Sequence, residues 1–195
     1  MTGHDPALLP PDLPVPVDDG AADHLEGMRL PDLAFPSTHG GQIGLPELAR
    51  DALVLYLYPR TGTPGVDPPA GWDRIPGARG CTPQSCAYRD HHGEFERLGA
   101  AVAGLSAQVP AEQAEASERL GLSFPLLSDP ELGLARALDL PTFEVEGVRL
   151  YKRLTLVARR GAIVKVFYPV FPPNENAAEV LRWLRAQGEQ APQPA

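Results

Sequence analysis

Residues 52 to 58 read ALVLYLY, an unbroken run of apolar and aromatic side chains with no polar face to offer water. A run of that length suits a strand covered on both sides, as in the interior of a sheet with helices packed against each face. The run ends at Pro59 and opens into a segment rich in Pro and Gly, after which come both cysteines of the chain, Cys81 and Cys86. No other stretch combines a reactive side chain, a helix start and a loop able to shape a pocket. The chemistry of the chain is therefore sought at residues 59 to 90.

On either side of this run the pattern alternates between strands and helices. Residues 1 to 27 are rich in Pro and Asp without periodicity and read as an arm, mobile or wrapped over the surface. Residues 29 to 48 suggest a hairpin with Gly40 and Gly41 at its tip, followed by a short helical turn. Thr82 and Pro83 make a helix start, Thr as N-cap and Pro in the first turn, for a helix reaching about residue 98 with Tyr88, Phe95 and Leu98 near one face. A second buried strand is expected at 100 to 106, a helix at 110 to 120, a short strand at 124 to 127 and a short helix at 131 to 138. Strands at 153 to 158 and 162 to 168 form a hairpin about Arg159, Arg160 and Gly161. An amphipathic helix at 173 to 187 follows, with Ala177, Val180, Leu181 and Leu184 on one face. This order predicts an α/β fold of the thioredoxin-like kind: a central mixed β-sheet, helices on both faces and an N-terminal β-hairpin. One such domain is expected over residues 28 to 188, with residues 66 to 80 as a loop insertion and residues 189 to 195 as a flexible tail.

The 25 acidic against 17 basic residues give a net charge of -8, which argues against non-specific binding to nucleic acid or anionic membranes. No apolar run approaches the roughly 20 residues of a membrane-spanning helix. The first residues lack the basic and continuous apolar regions of a secretory signal, so a cytoplasmic, reducing setting is expected. In such a compartment two cysteines five residues apart suggest redox or metal chemistry more than a structural staple. Four ligands for a metal are conceivable in Cys81, Cys86, His91 and His92, yet their spacing matches no common zinc pattern.

Cys81 stands at the expected helix start, where unbonded amides and the helix dipole favour an anion, and Arg79 adds a nearby cation. That makes Cys81 the candidate nucleophile. Cys86 lies on the first turns of the same helix. Five residues of regular helix separate two Cα atoms by about 8.6 Å, whereas a disulfide wants them within about 7 Å. A bond between Cys81 and Cys86 therefore requires this helix start to unwind.

The segments YPRTGTPG and CTPQSCAYRD resemble the active-site stretch of peroxiredoxins of the peroxiredoxin Q type, the bacterioferritin comigratory protein group, with fifteen residues placed between Gly65 and Cys81. LPDLAFPSTHGGQIGLPEL resembles the opening hairpin of that group, and RLTLVARRGAIVKVFY its Arg-x-Thr strand pair. The resemblance implies a thiol peroxidase in which Cys81 is the peroxidatic cysteine, Cys86 the resolving one, and Pro59, Thr63 and Arg153 shape the pocket. Thr63 is expected within hydrogen-bonding reach of the Cys81 sulfur, and Arg153 beside it. The resemblance further implies a peroxide as substrate, a thioredoxin or similar dithiol as reductant, a monomer or weak dimer, and no metal or organic cofactor. Within the insertion, Trp72 and Ile75 suggest a loop that packs on something. Two other readings of the cysteine pair stand beside this one: a protein thiol-disulfide oxidoreductase, and a redox sensor without catalysis.

Overall fold

The structure is a computed structural model that describes residues 5 to 189. After an extended arm the chain forms the hairpin β1 (Ala34–Pro36) and β2 (Gln42–Gly44), one turn of helix α1 (Leu45–Leu48), and β3 (Ala52–Leu57). Beyond the Pro- and Gly-rich segment come α2 (Cys81–Asp90), α3 (His92–Arg97), β4 (Ala100–Ser106), α4 (Pro110–Leu120), β5 (Leu126–Ser128) and α5 (Gly133–Leu138). Two hairpins follow, β6 (Thr142–Val145) with β7 (Val148–Tyr151) and β8 (Leu154–Arg159) with β9 (Ala162–Phe167), and α6 (Asn176–Glu189) is the last element.

Five strands make the central sheet in the order β5-β4-β3-β8-β9. β3, β4 and β5 run parallel, while β8 is antiparallel to β3 and β9 to β8. The apolar run thus occupies the middle strand, and its alternation is read out on both faces. Leu53, Leu55 and Leu57 enter one core with Leu45 of α1, Leu134 and Leu138 of α5, and Leu25 of the arm. Val54, Tyr56 and Tyr58 enter the opposite core with Tyr88 of α2, Ala116 of α4 and Val180 of α6. All six strand side chains are fully buried, each contributing about 1.5–3 kcal/mol of hydrophobic stabilisation. The mixed sheet with helices on both faces is the α/β arrangement the element order predicts.

Several local expectations are corrected. Helix α2 begins at Cys81, not after Thr82: Gly80 is the N-cap, with φ 101°. That conformation suits Gly, and a Cβ there would lie 2.4 Å from Pro173 Cγ. Thr82 consequently lies inside the first turn. The helix does not run on to residue 98. It ends at His91 and restarts as α3, and the bend brings Phe95 to 5.6 Å from the Tyr88 ring while leaving Leu98 exposed. The hairpin β6–β7 was not foreseen. Its two-residue turn, Glu146 and Gly147, has positive φ at both positions, which marks a primed turn carried by Glu-Gly where Asn-Gly is the usual signal. The last helix extends past residue 187, through Glu189, and the rest of the expected tail lies outside the described residues.

From residue 5 the arm wraps the body. Ala22 and Leu25 are buried, and the amide of Gly27 donates to the Ile163 carbonyl at 2.8 Å while that of Ile163 donates to the Met28 carbonyl at 2.8 Å. The 66 to 80 segment is irregular apart from a single 3-10 turn at Trp72–Arg74. Trp72 is nonetheless buried, packed with Ala78, Val145 and Leu150, its ring 6.1 Å from that of Phe143. The inserted segment and the unforeseen hairpin therefore form one small apolar cluster.

Candidate active site

β3 delivers the chain to the site. Pro59 is buried just beyond its last residue. The loop that follows is held from two sides: the Thr61 amide and hydroxyl both donate to Gln108 Oε1, at 2.8 and 3.0 Å, and Arg119 Nη2 donates to the Gly62 carbonyl at 2.8 Å. This sets Arg60, Gly62 and Thr63 along one wall of a small cavity. The opposite walls are Arg79, Gly80, Cys81 and Thr82 at the start of α2, the inserted residues Val66 to Trp72, and Pro6 of the arm. Its volume is about 40 Å³, while a single water needs roughly 10–15 Å³ on the same kind of measure. A peroxide group fits.

Cys81 is 3% exposed, so its sulfur meets solvent only through this cavity. Arg153, directly before β8, donates from Nη2 to the sulfur at 3.1 Å, and the thiol donates to the Ala78 carbonyl at 3.6 Å. The same guanidinium donates to the carbonyls of Gly77, Ala78 and Arg79 at 3.2, 3.1 and 3.1 Å, and to Gln84 Oε1. Gln84 passes the contact on: its Nε2 donates to Asn176 Oδ1 at 3.0 Å, which also accepts from Tyr88 at 2.7 Å and Thr155 at 2.8 Å. A buried chain of polar groups thus links the cation at the sulfur to the start of α6. A cation held in a dry site acts strongly on a neighbouring sulfur, because little water screens it. The amides of Cys81 and Thr82, in the first turn of α2, lack helical acceptors and add to the positive field.

The expected residues are only partly gathered. Cys81 and Arg153 meet as anticipated. Pro59 lies behind the cavity and not in its lining. Thr63 lines the cavity but is exposed, and among the described residues the sulfur's hydrogen-bond partners are Arg153 and Ala78, so the expected bond from Thr63 to the sulfur is not formed. The physical reason is the inserted segment, residues 66 to 80, which separates Thr63 from Cys81 in the chain and supplies Val66 to Pro69 and Trp72 to the cavity wall. Ala78 does not replace Thr63, since its side chain belongs to the Trp72 cluster. Arg79 is engaged at the arm, donating to the carbonyls of Asp5 and Leu8 and pairing with Asp73 at 3.3 Å. Cys86 is half-buried on α2, and both cysteines are free thiols. His91 bonds Glu94 and His92 bonds Ser123; among the described residues no cluster of three or more His, Cys, Asp or Glu gathers to hold a metal. Gln84, Gln108 and Asn176 escaped notice in the sequence. Gln84 had a usable signal, three residues after Cys81 on a helix and so on the same face; the other two are joined to the site only by the fold.

Comparison with known proteins agrees with this geometry. A model of the family Redoxin matches residues 25–181. Peroxiredoxin Bcp of Bacillus subtilis (strain 168) is 29% identical over 167 residues, covering 84% of this chain and 96% of that protein. The chloroplastic peroxiredoxin Q of Arabidopsis thaliana is 26% identical over 161 residues, 83% of this chain and 67% of that one. The crystal structure of peroxidoxin BcpB from Mycobacterium tuberculosis is similar with a TM-score of 0.67 and 27% identity, covering 83% of this chain and 96% of that chain.

Proposed function

We propose, from the premise that the chain belongs to the Redoxin family and is a thiol peroxidase of the peroxiredoxin Q type, that Cys81 is its peroxidatic cysteine and Cys86 its resolving one. The observation that carries this assignment is the 3.1 Å contact between Arg153 Nη2 and the Cys81 sulfur at the wall of a small cavity.

The Cys81 thiolate attacks the hydroxyl-bearing oxygen of the peroxide. A sulfur–oxygen bond forms, the oxygen–oxygen bond breaks, and the electron pair leaves on the second oxygen, which takes a proton and departs as water or an alcohol. Arg153 holds the thiolate and stabilises negative charge as it shifts between oxygens. Thr63, at the cavity wall, meets the incoming peroxide, and Pro59 shields the site from behind. Cys86 then condenses with the sulfenic acid, releasing water and forming the Cys81–Cys86 disulfide. A thioredoxin-like dithiol reduces that disulfide by exchange, becoming a disulfide itself. Substrates are hydrogen peroxide and organic hydroperoxides, and the cycle belongs in a reducing compartment such as the cytoplasm. Protein thiol-disulfide exchange as the primary reaction is disfavoured by the burial of the sulfur, which no protein disulfide reaches in the reduced state.

Stopped-flow oxidation with hydrogen peroxide and an alkyl hydroperoxide tests this reading. Cys81→Ser should abolish turnover, while Cys86→Ser should complete one oxidation and accumulate a sulfenic acid that dimedone traps. Full turnover by Cys81→Ser would overturn the assignment.

A further inference from the structure

The resemblance to peroxiredoxin Q calls for a hydroxyl beside the reacting sulfur, and Thr63 does not bond the sulfur. Another hydroxyl is present. Thr82 lines the same cavity and is 2% exposed, and its Oγ1 is buried without a hydrogen-bond partner among the described residues.

Thr82 stands in the first turn of α2, and the residue four earlier, Ala78, precedes the Gly80 N-cap, so no helical carbonyl lies behind its hydroxyl to accept from it. The Ala78 carbonyl accepts instead from Arg153 Nη2 at 3.1 Å and from the Cys81 thiol at 3.6 Å. A buried hydroxyl left unpaired is costly, and such groups in a native fold call for an explanation. Thr82 adjoins the nucleophile in the chain and lines its cavity, so a turn of its buried hydroxyl toward a peroxide seated over the sulfur supplies the missing partner.

We propose that Thr82 is a catalytic residue of this peroxidase, its Oγ1 donating a hydrogen bond to the peroxide oxygen that leaves. The inference rests on the peroxidase reading above. In the step already described, Oγ1 faces the oxygen that gains the electron pair as the oxygen–oxygen bond breaks, and the bond strengthens as charge develops there.

The test compares two reactions of the same sulfur in the full chain, each followed by mass spectrometry of the Cys81 peptide. One is oxidation by hydrogen peroxide, the other alkylation by iodoacetamide, which needs the same thiolate but expels iodide and forms no oxyanion. Thr82→Val should slow oxidation by about 10- to 100-fold, the loss typical of one hydrogen bond to developing charge, and leave alkylation unchanged. Thr82→Ser should restore oxidation. Oxidation of Thr82→Val at the wild-type rate overturns the proposal, as does an equal loss in both reactions, which would signal damage to the thiolate or the fold. Should the valine variant not fold, Thr82→Ala measured by the same two rates decides. Failure of the wild-type protein itself to oxidise would overturn the peroxidase reading, an outcome separate from any behaviour of the Thr82 variants.

Discussion

Arg153 is 3% exposed and donates to five acceptors, four oxygens and the Cys81 sulfur, with contacts from all three of its side-chain nitrogens. None of the five is a carboxylate, so the guanidinium offers the Cys81 sulfur a charge-assisted hydrogen bond that no neighbouring anion takes. Lysine would keep the charge but not the fork. Arg153→Lys should therefore slow the oxidation of Cys81 by about 10- to 100-fold, from loss of a charge-assisted hydrogen bond worth about 1.5–3 kcal/mol. It should also lower stability, since the carbonyls of Gly77, Ala78 and Arg79 lose a buried donor. Urea unfolding and stopped-flow oxidation of the same variant measure the two effects, and wild-type values in both would contradict this account of the site.

At the scale of elements, α2 carries both cysteines on one rigid rod and cannot close a disulfide without opening. Its two ends are fastened unequally. The start depends on Gln84, through Arg153 and Asn176, whereas the middle is pinned by Tyr88, fully buried, stacked at 4.4 Å on Tyr56 and bonded to Asn176 at 2.7 Å. Unwinding from Cys81 to Cys86 removes the carbonyls of residues 80 to 86 as acceptors, and with them the partners of amides 84 to 90. Hydrogen exchange on the oxidised protein should thus show lost protection over residues 84 to 90 and retained protection over α3. Unchanged protection in a protein whose Cys81–Cys86 bond is proven by mass spectrometry would rule out the helix opening.

The whole molecule is closed around the site by its own N-terminal arm. Pro6 walls the cavity, Arg79 holds the carbonyls of Asp5 and Leu8, and further along Asp19 pairs with Lys152 at 2.6 Å and accepts from Tyr168 at 2.7 Å. The hydrogen bond from Lys152, then that from Tyr168, holds the Asp19 carboxyl down to about 2 from its ordinary 3.8. A carboxyl lowered on folding stabilises the folded arm fully above its unfolded value, and that contribution is lost as pH falls through the folded one. The arm should accordingly loosen between about pH 4 and pH 2, and Asp19→Asn should remove that acid dependence. NMR line widths of arm residues across this range measure it; an arm equally ordered at both ends would show that Asp19 is not its fastening.

The sequence by itself determined the middle strand, the mixed sheet and both cysteines at a helix start, and its resemblance to peroxiredoxin Q pointed to the Arg beside Cys81. These follow from local signals: an apolar run of strand length, Pro and Gly punctuation, and a motif whose spacing survives on each side of the insertion. Tertiary structure decided the rest. Thr82 read as an N-cap because Thr before Pro is a good cap in any sequence, but Gly80, in a backbone conformation favourable only to glycine, took that place and left Thr82 inside the turn. The hairpin β6–β7 carries a weak turn signal of its own and is packed against Trp72, a residue some seventy positions earlier. Where Thr63 and Thr82 stand about the sulfur depended on where a fifteen-residue detour re-enters the fold, and no local pattern encodes that. It is set by Trp72 packing on Phe143 and by three carbonyls docking on Arg153, contacts between segments far apart in the chain that exist only once the sheet has brought them together.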